Sequence, residues 1–265
     1  MAGSGDTLLD RLGRFLATRL ESPSPGFRPY AYADPAAVRR TLRPGDVVLV
    51  EGVTRISIAI KYLTQSTWSH AALCVGDVFG DGGDDPRCLV EANLGEGVVA
   101  VGLGKYAHLH VRICRPVGLT EADRRRVVEF MLASLGKRYD LRNVIDLARY
   151  LVPTPPVPVR LRRRMLALGA GDPTRAICSS LIAEAFQRVR YPILPCVNRD
   201  ARRDAASRFQ RREILSIRHH SLFAPRDFDI SPYFEVVKPA LAGFDYRSLR
   251  WSADGRNSRP RAQGC

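Results

Sequence analysis

The sequence predicts an α+β fold, and three features of the chain predict it. Short apolar segments separated by turn residues follow one another between residues 47 and 115, which is typical of β-strands. Two of them, 68–75 and 88–92, flank a glycine-rich acidic loop and predict an antiparallel hairpin. From residue 177, apolar side chains recur instead at helical spacing, which predicts a largely buried helix after the strands.

The chain of 265 residues divides into three regions. Residues 1–41 are expected to form an amphipathic helix and a linker, residues 42–238 the main domain, and residues 239–265 a basic tail. Leucines and a phenylalanine between residues 8 and 20 share one face of the first helix, and arginines lie elsewhere on it. That helix either docks on the main domain or lies on a lipid surface.

The strands of the main domain follow a turn at 43–46. The predicted strands are 47–50, 68–75, 88–92, 98–101 and 111–115. Between the first two, apolar spacing favours a helix within 52–64. Near the end of the domain, residues 221–228 and 233–238 are expected to add one edge strand.

Helices are expected mainly in the second half of the domain. The first covers 120–135, begins with a cap-like Thr120 and is stopped by Gly136. A second apolar helix covers 144–151 and is broken by prolines. After the helix that begins at 177, the pattern weakens, and residues 198–213 favour a helix if they form regular structure.

The charge balance predicts an anionic partner. The formal net charge is +14, and arginine clusters supply much of the excess. Such a charge favours acidic membrane surfaces, nucleic acid or an acidic substrate. Nucleic acid is disfavoured because the chain has no aromatic-interleaved RNA signature, helix-turn-helix or zinc-finger pattern.

Cysteine usage and hydropathy predict the compartment. The six cysteines form no CxxC pair and no metal-binding spacing, so we expect reduced thiols, no metal and no cofactor. No segment resembles a signal peptide or reaches the length of a membrane-spanning helix. The expected protein is cytoplasmic, either free in solution or peripheral to a membrane. The sequence predicts no particular oligomer.

Cys178 is the candidate nucleophile. The turn at 169–173 and the apolar spacing after it place this residue in the first turn of a helix. Free backbone N–H groups and the helix dipole stabilise a thiolate there, and a thiolate is a strong nucleophile. The alternative is that Cys178 is a small residue of the core.

His70 and Glu91 are the candidate partners of that thiol. Each is a titratable residue in an apolar strand, where it needs a partner to offset its burial. The predicted hairpin brings the two close together, which supplies a base and a group to orient it. The alternative is that Glu91 only satisfies a histidine of the core.

These residues, taken with their neighbours, carry a family resemblance. In chain order they are Pro44-Gly45-Asp46-Val47-Val48-Leu49, the segment from Ser69 to Gly76, Leu89-Val90-Glu91-Ala92, the segment from Gly136 to Asp140, and the segment from Cys178 to Ile182. Their order resembles that of the permuted NlpC/P60 cysteine hydrolases, and within them the YiiX/YebB-like group. The resemblance covers about residues 42–237.

The resemblance implies a circularly permuted papain-like fold, with an antiparallel sheet packed against the nucleophile helix. It also implies that Cys178 is the nucleophile, His70 the base and Glu91 the third polar residue. A tyrosine that polarises the reacting carbonyl is implied as well, and Tyr139 is the candidate. Backbone N–H groups at the helix start, including that of Cys178 or Ser179, are expected to hold the oxyanion.

The function predicted is that of a cysteine hydrolase or acyltransferase acting on an amide, ester or thioester bond. Two substrate classes stay open, namely a small peptide and a lipid-like acyl compound near an anionic membrane. The net charge favours the lipid surface. The alternatives are a peptidase or amidase acting on cell-wall-type peptides, and a non-catalytic papain-like module that binds peptide or lipid.

Overall fold

The computed structural model describes residues 34–80, 83–93, 96–137, 177–199, 213–216, 223–239 and 247. Its strands are β1 (Val47–Glu51), β2 (His70–Cys74), β3 (Leu89–Asn93), β4 (Gly97–Val101), β5 (His110–Pro116), β6 (Cys196–Arg199), β7 (Glu213–Ser216) and β8 (Phe234–Val237). Its helices are α1 (Pro35–Thr41), α2 (Arg55–Thr64), α3 (Glu121–Ala133), α4 (Ile177–Arg188) and α5 (Pro225–Asp229), with a 3₁₀ helix, η1 (Leu103–Tyr106).

A six-stranded antiparallel sheet is the centre of the fold. Its order is β4-β3-β2-β1-β5-β8, and β6 pairs with β7 in a separate ribbon. Each of the five strands predicted from the first half of the chain is present in it. The prediction of an α+β fold with an antiparallel sheet against the helix of Cys178 is therefore confirmed.

Side-chain alternation sends the strands' apolar residues into two cores. Leu49, Leu73 and Val90 face α3 and α4, whose apolar stripes fill the larger core. Val48, Ala72 and Leu89 face the other way, into a smaller core closed by α1 and η1. The members of that smaller core are Val38, Val48, Val50, Ala72, Cys74, Cys88, Leu89, Leu103, Tyr106 and Ile113.

A buried ion pair ties the start of β1 to β5. Both carboxylate oxygens of Asp46 accept from Arg115, at 2.9 Å from Nε and 2.7 Å from Nη2. The same guanidinium donates to the carbonyl of Thr41 at 2.8 Å, and Asp46 accepts the backbone N–H of Arg43 at 2.9 Å. Asp46 thus satisfies the turn before β1 and links α1 to the sheet.

Helix starts follow the expected capping chemistry. The Thr120 hydroxyl accepts the backbone N–H of Asp123 at 3.2 Å, and Thr54 caps α2 in the same way. After α3, Gly136 adopts φ +77°, a left-handed conformation in which a side chain is strained. Both predicted helices are therefore present, and α3 ends shortly before Gly136, as expected.

Two later predictions were wrong in part. Residues 225–228, expected within an edge strand, lie in α5, which begins at Pro225 and whose start is capped by a hydrogen bond from the Ala224 N–H to Asp227 at 3.1 Å. The edge strand consists of β8 alone. Residues 196–199, whose last two were expected to be helical, pair with β7, because an opposing strand satisfies their backbone.

Other predictions fall on residues outside those described. They are the amphipathic helix at 8–20, the helix at 144–151, the turn at 169–173, residue Tyr139 and most of the basic tail. The three-region division of the chain stays a prediction. In the part of the chain that the structure describes, no helix has both the length and the apolar character needed to cross a bilayer.

Candidate active site

The site lies where β2 and β3 separate. Their ladder pairs Leu73 with Val90 and Cys74 with Leu89, and the recorded pairs end there. The N–H of Val75 points toward β3 and donates to the Cys88 carbonyl at 2.8 Å. Alternation turns the N–H of Ala71 toward the same side, where it donates to the sulfur of Cys178. The gap in the ladder therefore presents a backbone donor to a thiol.

Helix α4 brings Cys178 to this gap. Cys178 is the second residue of the helix, as predicted, and only 5% of it is exposed. The helix is anchored by buried residues on its sheet-facing side, among them Ile182 and Phe186, which are wholly buried. The backbone N–H of Ser179 also donates to the sulfur. Cys178 thus has a helix-start donor and a strand donor.

His70 connects the thiol to a carboxylate. His70 is the first residue of β2, and its Nε2 lies 2.8 Å from Oε2 of Glu91. A second hydrogen bond joins the His70 ring to the Cys178 side chain. Since Nε2 faces the carboxylate, Nδ1 is the ring nitrogen left for sulfur. The structure brings together all three residues that the sequence analysis placed in one site.

The three groups shift one another's pKa values. Burial opposes the thiolate of Cys178, yet the His70 charge and hydrogen bond, with the two backbone donors, lower its pKa. Burial likewise disfavours a charged His70, but Cys178 and Glu91 raise its pKa to about 10. For Glu91, burial is outweighed by His70 and Lys105, which lower its pKa to about 2. An imidazolium and a carboxylate therefore coexist at neutral pH, and the lowered pKa of Cys178 favours a thiolate beside them.

Lys105 and Asn93 complete the surroundings of Glu91, and the sequence analysis missed both. The ammonium of Lys105 pairs with Oε1 of Glu91, and Nδ2 of Asn93 donates to the same oxygen at 2.9 Å. Asn93 lies two residues after Glu91 in an alternating strand, which was an available signal. Lys105 lies in η1, and no sequence pattern places that connection beside β3.

An aromatic residue of η1 also lies beside the site. The rings of His70 and Tyr106 are 6.2 Å apart, centroid to centroid. The Tyr106 hydroxyl is buried and has no hydrogen-bond partner among the residues described. Alternation explains this neighbourhood, because His70 and Glu91 have the same parity in their strands as Ala72 and Leu89, which face the smaller core with η1.

The two residues predicted to hold the oxyanion have different outcomes. Tyr139 lies outside the described residues. The Ser179 hydroxyl is wholly buried and donates to the Phe223 carbonyl at 2.7 Å, so its side chain anchors the helix. Only the backbone N–H of Ser179 is directed at the site. Among the described residues, no group of three or more His, Cys, Asp or Glu side chains could hold a metal ion.

Comparisons with known proteins match one part of the chain to a family. Residues 41–150 match the model of the permuted papain-like amidase enzymes of the YaeF/YiiX, C92 family. The match includes His70 and Glu91 and ends before Cys178. A crystal structure described as the metalloprotein YiiX from Escherichia coli O157:H7 is 15% identical, with a TM-score of 0.43, over 75% of this chain and 97% of that chain. No curated protein matches the sequence.

Proposed function

We propose that the chain is a cysteine amidase with Cys178, His70 and Glu91 as its catalytic residues, because residues 41–150 match the model of the permuted papain-like amidases of the YaeF/YiiX, C92 family. The family match confirms the resemblance and the class of cysteine hydrolase. The catalytic residues, the bond that is cleaved and the substrate are the proposal.

One observation carries it. A buried thiol in the first turn of a helix is hydrogen-bonded to a histidine whose other ring nitrogen lies 2.8 Å from a wholly buried carboxylate. A nucleophile, a base in contact with it and a group that orients the base are the parts that covalent acyl transfer needs. If Cys178 were only a structural residue, there would be no need for Glu91 to hold the His70 ring at Nε2, the nitrogen that faces away from the thiol.

The mechanism begins with the ion pair. The Cys178 thiolate attacks the carbonyl carbon of an amide, and an S–C bond forms while the carbonyl electrons move to oxygen. His70 gives its proton to the amide nitrogen, so the C–N bond breaks and the amine leaves. The neutral His70 then takes a proton from water, whose oxygen attacks the thioester. The acid leaves, and the thiolate and imidazolium are restored.

One backbone donor at the start of α4 and one in β2 are proposed to stabilise the oxyanion. The N–H groups of Ser179 and Ala71 now point at sulfur, which places them beside the carbonyl that sulfur attacks. Removal of one such donor typically costs about 3 kcal/mol of transition-state stabilisation. Tyr139 is kept as a proposed side-chain donor from the resemblance. Lys105 and Asn93 touch Glu91 and not the reacting atoms.

The test replaces the nucleophile. Cys178→Ala should abolish cleavage of a panel of acyl-p-nitroanilides and p-nitrophenyl esters while leaving the thermal melting curve close to that of the wild type. Cys88→Ala is the matched control, because Cys88 is also a buried thiol but lies outside the site. A Cys178→Ala variant that keeps the wild-type rate on any substrate of the panel overturns the assignment.

The proposed acyl substrate is lipid-like and is met at an anionic membrane surface. The support is the formal net charge of +14, which attracts such a surface through its lysine and arginine side chains. A small peptide amide is the competing substrate. Flotation of the protein with anionic and with neutral liposomes at low salt separates the two. Absence of binding to anionic liposomes removes the membrane from the proposal and leaves the peptide.

A further inference from the structure

The carboxylate of Glu91 is held by more than the histidine. Its side chain has no exposed surface, whereas the side chain of Lys105 is 41% exposed. Oε2 faces His70, and Oε1 accepts both the Lys105 ammonium and the Asn93 amide. A carboxylate with one oxygen bound on one side and two donors on the other cannot rotate without breaking a charge-assisted hydrogen bond.

We propose that Lys105 is a positioning residue of this site, whose ammonium group fixes the ionised Glu91 in the orientation that directs Oε2 at His70. The inference rests on the proposed function, because the orientation matters only if His70 serves the thiol. Lys105 touches neither the sulfur nor the ring in any recorded contact. It acts through Glu91.

The backbone that carries Lys105 is itself anchored. The N–H of Gly104 donates to both carboxylate oxygens of Asp85, each at 3.0 Å. A Cβ on Gly102 would lie 2.1 Å from Oδ2 of Asp85, and one on Gly104 would lie 2.6 Å from the same atom. Only residues without a side chain allow this approach. Asp85, in the loop before β3, therefore holds η1 in place, and η1 positions Lys105 beside Glu91.

The charged groups around the site determine how loss of Lys105 changes the pKa values of Cys178 and His70. Among the described residues, the groups that face Glu91 and His70 are Cys178 from α4, Lys105 and Tyr106 from η1, and Asn93 from β3, which also donates to Glu96 at 3.0 Å. Lys105 supplies a cation, and within this described set its removal leaves His70 as the partner of the two anions. Loss of a nearby cation raises the pKa of a thiol and of an imidazolium together.

The experiment measures alkylation of Cys178 by iodoacetamide, followed by mass spectrometry, from about pH 4 to about pH 10. It needs no substrate. In Lys105→Met, the acid limb of the rate profile should move upward by about half a unit to one unit. Lys105→Arg keeps the positive charge, so its rate profile should lie close to the wild-type profile. Lys238→Met, at an exposed lysine beyond the edge strand β8, should leave the profile unchanged.

A double substitution separates positioning from folding. In the Glu91→Gln background, Lys105→Met should shift the profile less, because only the direct effect of the lost charge on the thiol remains and the part that acts through Glu91 is gone. That background also removes the buried anion whose loss of a partner could unfold the single variant. A Lys105→Met profile that superimposes on the wild-type profile, or an equal shift in both backgrounds, overturns the inference. A wild-type Cys178 that titrates like an ordinary thiol overturns the proposed function, and the inference with it.

Discussion

Cys178 and Cys114 are both buried thiols, yet their pKa values move in opposite directions. Cys114, in β5, is wholly buried, and Cys178, at the start of α4, is 5% exposed. Burial, followed by the nearby Asp229 charge, raises the pKa of Cys114 to about 12. For Cys178 the same burial is outweighed by His70 and by two backbone donors, and the pKa falls.

The difference shows that exclusion of water does not itself select a nucleophile. Cys74, in β2 only four residues after His70, also has its pKa raised to about 12 by burial. Within the described part of the chain, neither Cys74 nor Cys114 has a cationic ring hydrogen-bonded to its sulfur. A buried thiol becomes a thiolate only where a cation and N–H dipoles are fixed around it, and α4 and the gap between β2 and β3 provide both at Cys178.

Removal of His70 should abolish most of the difference between the pKa values of Cys178 and Cys114. His70→Ala takes away the charge and the hydrogen bond that oppose burial, so the pKa of Cys178 should rise toward that of Cys114. At about pH 6, we expect its alkylation rate to fall by at least about 300-fold, which is the fall to the thiolate content of an ordinary cysteine. Mass spectrometry of the labelled peptide gives the rate. The comparison fails if Cys178 in His70→Ala still reacts as fast as in the wild type.

Substitution of Glu91 should lower the free energy of unfolding by the amount that its ionised carboxylate contributes. The pKa of Glu91 is lowered to about 2 in the folded chain, so its contribution is present above its ordinary value of 4.5 and disappears as pH falls toward 2. Glu91→Gln should therefore lose about 3 kcal/mol of unfolding free energy between about pH 5 and pH 6. Urea denaturation at several pH values measures the difference.

His70 determines the upper end of the pH range in which the site stabilises the folded chain. Its pKa is raised to about 10, so the stabilisation by the imidazolium is complete below 6.5 and is lost as pH rises toward 10. The difference in unfolding free energy between the wild type and Glu91→Gln should become smaller toward pH 2 and toward pH 10. A gap independent of pH would mean that Glu91 is neutral in the folded protein. Glu235→Gln, on the exposed side of β8, is the control.

Substitution of the sheet thiol should have the smallest effect. Cys114→Ala removes one buried sulfur from the larger core and should cost about 1 kcal/mol of unfolding free energy. The pH profile of Cys178 alkylation should stay where it is, since Cys114 makes no recorded contact with His70 or Glu91. A shift of that profile would show that the two thiols are coupled through the sheet.

The sequence could predict the residues whose presence is anomalous where they lie. An acid between Val90 and Ala92 and a histidine before two alanines are costly unless paired, so their contact could be predicted from the hairpin. The Cys178 position could be predicted from helical spacing. Lys105 could not, because a lysine in a connection is ordinary and its partner is fixed by the tertiary path of η1.

The wrong predictions have two different causes. Leu222, Phe223 and Phe228 give the segment 221–228 an apolar character that suits a strand, but Pro225 and Asp227 supply helix-start chemistry that the prediction did not weigh. At 196–199, the strand depends on pairing with β7, fourteen residues further on, which no local pattern indicates. Local chemistry decided the first outcome, and a contact between distant segments decided the second.

The protonation state of His70 is the most direct test of the site. In protein labelled with ¹⁵N at histidine, the ring nitrogens of His70 should both be protonated at about pH 7.5, and the ring should lose a proton only near pH 10. In Cys178→Ala, the same proton should be lost at lower pH, because the thiolate that holds it is absent. A neutral, single-tautomer ring for His70 at about pH 7.5 in the folded wild-type protein would contradict the thiolate–imidazolium pair.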